Sequence, residues 1–264
     1  MPEGDTVWRT AQRLRHALAG TVLTRCDLRV PALATTDLGG RRVDGAVSRG
    51  KHLLVRVEGG LTLHSHLGME GSWRVHAAGE RRRGGPDHQI RAVLANDRYT
   101  AVGYRLPVLE LLRTADESTV VGHLGPDLLG PDWNPDEAVR RLLADPGRPV
   151  GEALLDQRNL AGIGNVYKAE LCFLLRVSPW LPIGRVPSPG RLVVLAKKLL
   201  EVNKDRAARI TTADSHPDRR LWVYGRAGRP CRRCGGAVRL AGQGRPGQER
   251  PTYWCPRCQG EPGS

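Results

Sequence analysis

The chain has 264 residues, of which 40% are hydrophobic and 26% charged, as in a globular protein with one large or two modest domains. Its 41 Lys and Arg against 27 Asp and Glu give a net charge of +14, which favours nucleic acid over a membrane surface as partner. No stretch reaches the ~18 apolar residues of a membrane span, and the start lacks the pattern of a signal peptide. We therefore expect a cytoplasmic, nucleoid-associated protein without a membrane partner.

The first predicted element is a helix close to the start of the chain. Asp5 or Thr6 is a suitable N-cap, and Gly20 ends the helical pattern. The apolar positions at helical spacing are Val7, Ala11, Leu14 and Leu18. Such a helix can hold the first residues of the chain in place.

Short β-rich segments follow, separated by Gly and Asp, and they predict antiparallel strands in a sandwich or flattened barrel. The segments are HLLVRVEG (52–59), LTLHSHLG (61–68), SWRVHAAG (72–79) and IRAVLAND (90–97). GERRRGGPD (79–87) is predicted to be an exposed basic hairpin tip. His64 and His66 share one strand face, where they are either metal ligands or, as we favour, hydrogen-bonded structural residues.

The second half of the chain is helical in its pattern. A Pro-, Gly- and Asp-rich stretch, 123–134, predicts a linker, and Asn134-Pro135 predicts a capped helix start. The predicted helical segments are 136–145, 150–157, 165–175 and 189–205.

Two CxxC pairs, 20 residues apart, lie near the C-terminus. Four thiolates at this spacing match a closed tetrahedral site, so we predict one structural Zn²⁺ that does no chemistry. The four cysteines are Cys231, Cys234, Cys255 and Cys258. Arg250 should lie near the turn of the zinc-held β-hairpin, where it either reaches nucleic acid or is solvated.

AGIGN (161–165) joins two of the predicted helices. Gly162 and Gly164 permit a tight turn, and Asn165 is predicted to cap the second helix. The N–H groups at that helix start form an anion site suited to a DNA phosphate.

Taken together, these segments resemble the formamidopyrimidine-DNA glycosylase and endonuclease VIII family, which comprises bifunctional DNA glycosylase/lyases. The similar segments run in order along nearly the whole chain. They are PEG (2–4), SRGKHLL (48–54), SHLGMEG (65–71), HLGPDLL (123–129), LLDQRNLAGIGNVYKAE (154–170), VYGRAGRPCRRC (223–234) and RPTYWCPRCQ (250–259). PEG is closer to an actinobacterial type of endonuclease VIII, whereas HLGMEG is closer to the formamidopyrimidine branch.

The resemblance, with the pattern above, implies an α+β fold of two domains. We expect a catalytic N-terminal domain over 1–122, made of a helix and an antiparallel β-sandwich. The expected remainder is a linker over 123–134, a helical domain over 135–220 with a helix–two-turn–helix over 151–172, a zinc-finger β-hairpin over 221–260 and a tail over 261–264.

The resemblance also implies a use for the start of the chain. Removal of Met1 would leave Pro2 with a free secondary amine, a type of group with a pKa near ~8 that is partly neutral at physiological pH. In the family, this proline attacks the anomeric carbon of the sugar, displaces the damaged base and forms a Schiff base, after which elimination cuts the strand. Glu3 would be the general acid/base that opens the sugar.

The remaining implied roles concern DNA binding. Lys51 matches a strand lysine that contacts the phosphate beside the lesion, Asn165 holds the same backbone, and Arg250 grips phosphate from the zinc hairpin. Met69 matches the wedge that fills the gap left by a flipped-out base. Without the resemblance, Met69 would be a core residue.

Two positions depart from the family pattern. Asp5-Thr6 stands where a Pro-Glu pair is usual, and Pro251 follows Arg250 where a small residue is usual. We expect a monomer acting on double-stranded or partly single-stranded damaged DNA, with oxidised pyrimidines ahead of oxidised purines such as 8-oxoguanine. The alternatives are a non-catalytic, zinc-dependent damaged-DNA-binding protein and a zinc-ribbon RNA-associated factor.

Overall fold

The structure is a computed structural model that describes residues 2–80 and 85–261. The chain folds into two compact units, the first ending at His123 and the second beginning at Leu124. None of the helices in these described ranges is both long and apolar enough to cross a bilayer.

The first unit opens with helix α1, Gly4–Leu18. Its apolar residues recur every three or four positions, so they share one face and are buried in the core of the unit. They include Val7, Ala11, Leu14 and Leu18. The helix begins earlier than predicted: its N-cap is Glu3, because the Glu3 carbonyl oxygen already accepts hydrogen bonds from the N–H groups of Thr6 and Val7.

Among the described residues of this unit, eight antiparallel strands and a short helix, α2, follow α1. The strands are β1 (Arg25–Leu28), β2 (Val43–Arg49), β3 (His52–Val57), β4 (Leu61–His66), β5 (Ser72–Ala77), β6 (Ile90–Ala95), β7 (Tyr99–Tyr104) and β8 (Val108–Arg113), and α2 is Ser118–Val121. One sheet has the order β1-β6-β7-β5 and the other β2-β3-β4-β8. Side chains of both sheets, such as Leu63 and Trp73, share one apolar core with α1, so the predicted sandwich is confirmed.

The predicted basic hairpin tip at 79–87 falls between β5 and β6. Its residues 81–84 lie outside the described residues, while Gly79, Glu80 and Gly85 are exposed.

The second unit contains five helices and one hairpin among its described residues. The elements are α3 (Pro135–Leu142), α4 (Val150–Leu155), α5 (Asn165–Leu175), α6 (Pro189–Asn203), β9 (Arg239–Gln243), β10 (Arg250–Trp254) and α7 (Pro256–Gln259). Asn134 caps α3 as predicted, because its side chain accepts a hydrogen bond from the Glu137 N–H. The stretch predicted as a linker, 123–134, belongs largely to this unit, since Leu124 and Leu128 are buried within it.

Helix α5 is the centre of the second unit and is buried on nearly all sides, as expected of a helix packed between two cores. Leu171 and Cys172 pack with the helical core that includes α4 and α6. Ala169 and Phe173 pack with a second core that contains Cys231 and residues around the hairpin. The hairpin is therefore held on a helix that the rest of the unit already fixes.

Candidate active site and nucleic-acid interface

The start of the chain is anchored by α1. Pro2 is half-buried directly before the helix, whereas Glu3 is fully buried. Although Glu3 occupies the N-cap position, its side chain makes no capping hydrogen bond. Capping therefore does not account for the burial of this carboxyl group.

Asp5, one of the two departures from the family pattern, is buried within the first turn of α1. Its Oδ1 accepts a hydrogen bond of 2.7 Å from the N–H of Thr6. This carboxylate thus lies in the first turn of the helix, where the helix dipole favours negative charge.

Lys51 lies in the tight turn between β2 and β3, and not within a strand as predicted. Arg49 and His52 pair across this hairpin, which leaves Gly50 and Lys51 as the two turn residues. Gly50 has a φ of 56°, a conformation that glycine adopts at little cost. The geometry of the turn therefore explains why a glycine precedes Lys51. The half-buried Lys51 side chain is consequently carried on a rigid hairpin tip.

A chain of hydrogen bonds runs beside this turn. His64 Nδ1 is 2.7 Å from Glu110 Oε1, and His64 Nε2 is 2.9 Å from His52 Nδ1. A carboxylate can only accept, so His64 donates from Nδ1, and in a neutral His64 ring Nε2 therefore accepts from His52 Nδ1. The chain therefore fixes the tautomers of both rings.

His52 and His66 are neutral at physiological pH. Burial, with the neighbouring histidines and the charge of Lys51 as further causes, lowers the pKa of His52 to about 3. Burial and the charge of Lys51 also lower the pKa of His66, whose Nδ1 accepts a hydrogen bond from the Gly68 N–H.

The metal alternative for His64 and His66 is not supported. Within residues 2–80 and 85–261, the one group of side chains that could hold a metal ion consists of four cysteines elsewhere in the chain. The favoured interpretation, hydrogen-bonded structural histidines, is confirmed.

Met69 projects from the loop between β4 and β5. Its side chain is 61% exposed, so the alternative in which it is a core residue is wrong. The loop is closed by a hydrogen bond of 2.7 Å from the Gly71 N–H to the Leu67 carbonyl oxygen. A large apolar side chain is thus held in the open by a tight loop.

Arg105, which sequence reasoning missed, supports this loop from the turn between β7 and β8. Its guanidinium contacts the Glu70 carboxylate at 3.1 Å and donates to Gln89 Oε1 at 2.7 Å. Arg105 also has a φ of 48°, an uncommon backbone conformation for a residue with a side chain. Nothing in the local sequence signals this conformation.

The turn between α4 and α5 is built around Gln157. Its side chain donates to the carbonyl oxygens of Leu155 and Ile163 and accepts from the Gly162 N–H. Gly162 has a φ of 111°, so glycine is required there, whereas Gly164 has a negative φ and is the N-cap of α5. Sequence reasoning missed Gln157, although it is part of the segment that carries the resemblance.

Asn165 does not cap α5 as predicted; it is the first residue of the helix. Its Nδ2 donates a hydrogen bond of 2.5 Å to the carbonyl oxygen of Pro251 in β10. Arg250 directly precedes Pro251, is exposed, and pairs with Gln243 at the end of the hairpin next to its turn, as predicted. The structure therefore brings Asn165 and Arg250 together.

The four cysteine sulfurs form one compact cluster. The Sγ atoms of Cys231 and Cys258 are 3.9 Å apart, those of Cys234 and Cys255 are 3.4 Å apart, and all four lie within 4.8 Å of one another. A tetrahedral ion with metal–sulfur bonds of about 2.3 Å requires sulfurs about 3.8 Å apart, so the residues present fit a metal ion. A hydrogen bond from the Gly236 backbone lowers the pKa of Cys234 to about 7, whereas burial raises the pKa of Cys255 to about 12 and also raises that of Cys258.

Comparisons with known proteins match both halves of the chain to the same family. The model of the formamidopyrimidine-DNA glycosylase N-terminal domain matches residues 1–105, and that of the formamidopyrimidine-DNA glycosylase H2TH domain matches residues 124–202. A Streptomyces coelicolor protein, "Probable endonuclease 8 2", is 66% identical over 99% of this chain and 95% of its own length. A Mycolicibacterium smegmatis protein, "DNA-(apurinic or apyrimidinic site) lyase Nei2", is 51% identical over 98% and 99% of the two chains.

Solved structures agree on the fold. A complex of Lactococcus lactis Fpg with DNA containing an abasic site superposes with a TM-score of 0.79 over 98% of this chain and 100% of that one, at 21% identity. At that identity the likeness concerns the fold alone, whereas the curated relatives are far closer in sequence. The chain therefore belongs to the formamidopyrimidine-DNA glycosylase and endonuclease VIII family, within its actinobacterial endonuclease VIII type.

Proposed function

We propose that this protein is a bifunctional DNA glycosylase and abasic-site lyase of base excision repair. Relatives with 51% and 66% identity over nearly the full chain carry the names of an abasic-site lyase and an endonuclease VIII. The net charge of +14 suits a polyanionic substrate. The substrate is damaged DNA, double-stranded or partly single-stranded.

The observation that carries this proposal is the fully buried Glu3, whose side chain does not cap the helix that it precedes. Such a carboxyl group, held next to Pro2 by a well-packed helix, suits an acid/base partner for the amine of Pro2. In the family, a pair of this kind carries out the glycosylase and lyase reactions. We therefore assign Pro2 as the nucleophile and Glu3 as the general acid/base.

In the glycosylase step, the neutral amine of Pro2 attacks C1′ of the damaged nucleotide, the C1′–N bond to the base breaks, and the proton that the Pro2 nitrogen loses is taken up by the departing base. Glu3 donates a proton to the ring oxygen O4′, the C1′–O4′ bond opens, and an iminium forms between C1′ and Pro2. In the lyase step, loss of a proton from C2′ allows the C3′–O bond to break. A further elimination at C5′ would release the sugar.

Lys51, Asn165 and Arg250 serve as contacts to the phosphate backbone in this proposal. Each is carried by a rigid element, the β2–β3 hairpin tip for Lys51 and the joined α5 and β10 for the other two. An asparagine amide carries two protons, so Asn165 can donate one to Pro251 and the other to a phosphate. Gly162 and Gly164 shape the turn that leads into the start of α5.

Met69 is the proposed wedge. An exposed, flexible and apolar side chain on a closed loop can enter the base stack when the damaged nucleotide leaves it. Glu70 and Arg105, which are paired to each other, would hold the loop during this insertion.

We assign one structural Zn²⁺ to Cys231, Cys234, Cys255 and Cys258. When bound, the ion would supply folding free energy to a region with few apolar residues. Four protein thiolates fill a tetrahedral shell, so the catalytic steps belong to Pro2 and Glu3.

The lesion preference that we propose is for oxidised pyrimidines, on the strength of the endonuclease VIII name of the Streptomyces coelicolor relative and the Nei2 name of the Mycolicibacterium smegmatis relative. Oxidised purines such as 8-oxoguanine are the alternative substrate. Side-by-side release of thymine glycol, dihydrouracil and 8-oxoguanine from otherwise identical duplexes decides between them. We also propose that the protein is a monomer and that it associates with the nucleoid.

Borohydride trapping tests the enzymatic part. Reduction during incubation with abasic-site DNA should convert the Pro2 iminium into a stable protein–DNA adduct, mapped to the proline by peptide mass spectrometry. A protein that binds the same duplex tightly but yields no adduct would be the non-catalytic binding protein of the alternative interpretation.

A further inference from the structure

Two side chains of α5 bind two consecutive residues of β10. Asn165 and Lys168 are three positions apart, so they lie on the same face of the helix. Asn165 Nδ2 donates to the Pro251 carbonyl oxygen at 2.5 Å, and Lys168 Nζ donates to Thr252 Oγ1 at 2.6 Å. The helix thereby grips the hairpin at the end where Arg250 begins the strand.

The Thr252 hydroxyl links Lys168 to the backbone of Arg250. An ammonium group can only donate, so Thr252 Oγ1 accepts from Lys168 and keeps its own single proton. That proton can go to the Arg250 carbonyl oxygen at 3.1 Å or to Gln243 Oε1 at 3.2 Å. Lys168 is thus one hydroxyl group away from the backbone of Arg250.

The Gln243 side chain, on the other side of Thr252, is also held in place. Gln243 Nε2 donates to the Pro179 carbonyl oxygen at 2.7 Å. A Cβ atom at Gly151 of α4 would lie 2.3 Å from Gln243 Oε1, so the absence of a side chain at Gly151 makes room for the Gln243 amide. Helix α4, helix α5 and both hairpin strands therefore contribute to one polar cluster.

The polar side chains of this cluster are buried, so their desolvation costs folding free energy. Lys168 and Thr252 are 0% exposed and Gln243 is 4% exposed. Burying an ammonium group costs more desolvation free energy than burying an apolar side chain of the same length. What such a group can contribute in return is a specific geometry, because its hydrogen bonds are directional. The cysteine cluster follows β10 at its far end, so it does not by itself fix the end that bears Arg250.

We propose that Lys168 is a positioning residue for Arg250: through Thr252 it fixes the backbone of residues 250–252 on α5, and so presents the guanidinium beside the N-terminus of that helix. This inference rests on the proposed function of Arg250 as a phosphate contact. It adds a residue that has no contact with DNA of its own and acts only through the hairpin.

The test is a double-mutant cycle of DNA affinity. Lys168→Met keeps the length of the side chain and removes the charged donor, and Lys198→Met on the exposed face of α6 is the matched control. Affinity is measured by fluorescence anisotropy at fixed salt for a duplex with a reduced abasic site, and zinc content is measured for every variant. Lys168→Met should weaken binding on the order of tenfold, and Lys198→Met should bind like the wild type.

The cycle separates positioning from general structural damage. If Lys168 acts through Arg250, Lys168→Met in an Arg250→Ala background should cause less than about twofold further loss, whereas independent effects would multiply. A zinc-loaded Lys168→Met protein with wild-type affinity, or a loss that multiplies fully with that of Arg250→Ala, overturns the inference.

A second pair of variants decides the matter if Lys168→Met loses zinc. Thr252→Ser keeps the bridging hydroxyl, and Thr252→Val removes it at nearly the same volume. Thr252→Ser should bind within about twofold of the wild type and Thr252→Val about tenfold more weakly. Equal affinity of the two would overturn the inference, whereas wild-type binding by Arg250→Ala or the lack of a trapped adduct would instead count against the proposed function.

Discussion

The rings of His52 and His64 are joined by a hydrogen bond of 2.9 Å and are stacked with their centroids 5.1 Å apart. Glu110 anchors the pair from the other side of His64. Because burial lowers the pKa of His52 to about 3, His52 remains neutral next to the turn that carries Lys51. The hairpin tip therefore presents the charge of Lys51 without a second cation on the adjacent ring.

This geometry predicts a stability that falls with acidification. The pKa of His52 is about 3 in the folded protein and near 6.5 in the unfolded chain. Between these values the unfolded state binds a proton that the folded state does not, so stability falls as pH decreases from about 7 towards 3. His52→Asn, which keeps a donor for His64, should remove part of this loss, about 1–2 kcal/mol at pH 4.5 after allowance for partial exposure of the ring.

Thermal unfolding at pH 7.5 and at pH 5 measures this effect. The drop in Tm between the two pH values should be smaller for His52→Asn than for the wild type, while His88→Asn at an exposed position should change nothing. Equal drops for wild type and His52→Asn would show that His52 is not the group responsible.

Local patterns in the sequence were sufficient to predict α1 and the cysteine cluster that could hold a metal ion. The helical spacing of apolar residues gave α1, and the CxxC spacing gave the cysteine cluster, because both depend on contacts between residues close in the chain or on ligand chemistry. The N-terminal cap was placed too late because Glu3 caps through its backbone, which any residue can do, and not through its side chain.

Contacts between distant residues could not be anticipated in the same way. The bond from Asn165 to Pro251 spans 86 positions and that from Lys168 to Thr252 spans 84, so no periodicity encodes them. A standard helix cap was therefore expected at Asn165, although tertiary packing uses its side chain elsewhere. The left-handed backbone of Arg105 was missed for a similar reason, since its support comes from Glu70 and Gln89.

Replacement of the two residues at the start of the chain should separate the two steps of catalysis. Glu3→Gln should reduce base release by roughly 10²- to 10⁴-fold, the usual contribution of general acid/base catalysis, while DNA affinity is retained. Pro2→Gly should lose much of the lyase activity, because the secondary amine is replaced. Product formation under single-turnover conditions gives both rates.

The matched control for Glu3→Gln is Glu58→Gln, an exposed position in the same unit. It should release base at the wild-type rate. Unchanged base release by a folded Glu3→Gln protein would show that Glu3 is not the acid.

Loss of one cysteine of the cluster should release the metal ion and weaken DNA binding. Cys255→Ser leaves three thiolates, so zinc affinity should fall, and the hairpin should lose the anchor at the end opposite Arg250. Zinc content by metal analysis and duplex affinity by anisotropy are the measurements. Cys26→Ser, outside the cluster, should retain both, and wild-type affinity in a metal-free Cys255→Ser protein would contradict a role of the metal in DNA binding.

Arg250→Ala should change the salt dependence of DNA binding as well as its strength. A guanidinium that neutralises one phosphate releases about one counterion, so the slope of log affinity against log salt should become less negative by about 1. The loss should be similar for all duplex sequences, since a phosphate contact does not distinguish between bases. Arg191→Ala on α6 is the control, and a slope for Arg250→Ala equal to that of the wild type would rule out the phosphate contact.

Met69 allows a prediction that depends on the form of the DNA. Its side chain is 61% exposed, so Met69→Ala should leave the free energy of unfolding within about 0.5 kcal/mol of the wild type. Excision from a duplex should nevertheless fall, on the order of tenfold, because nothing then fills the gap that the flipped nucleotide leaves in the stack. Excision of the same lesion from a single strand should be unaffected, since there is no stack to fill, and Met69→Leu should retain activity on both substrates. Equal losses on duplex and single strand would mean that Met69 acts on the lesion or the backbone and is not a wedge.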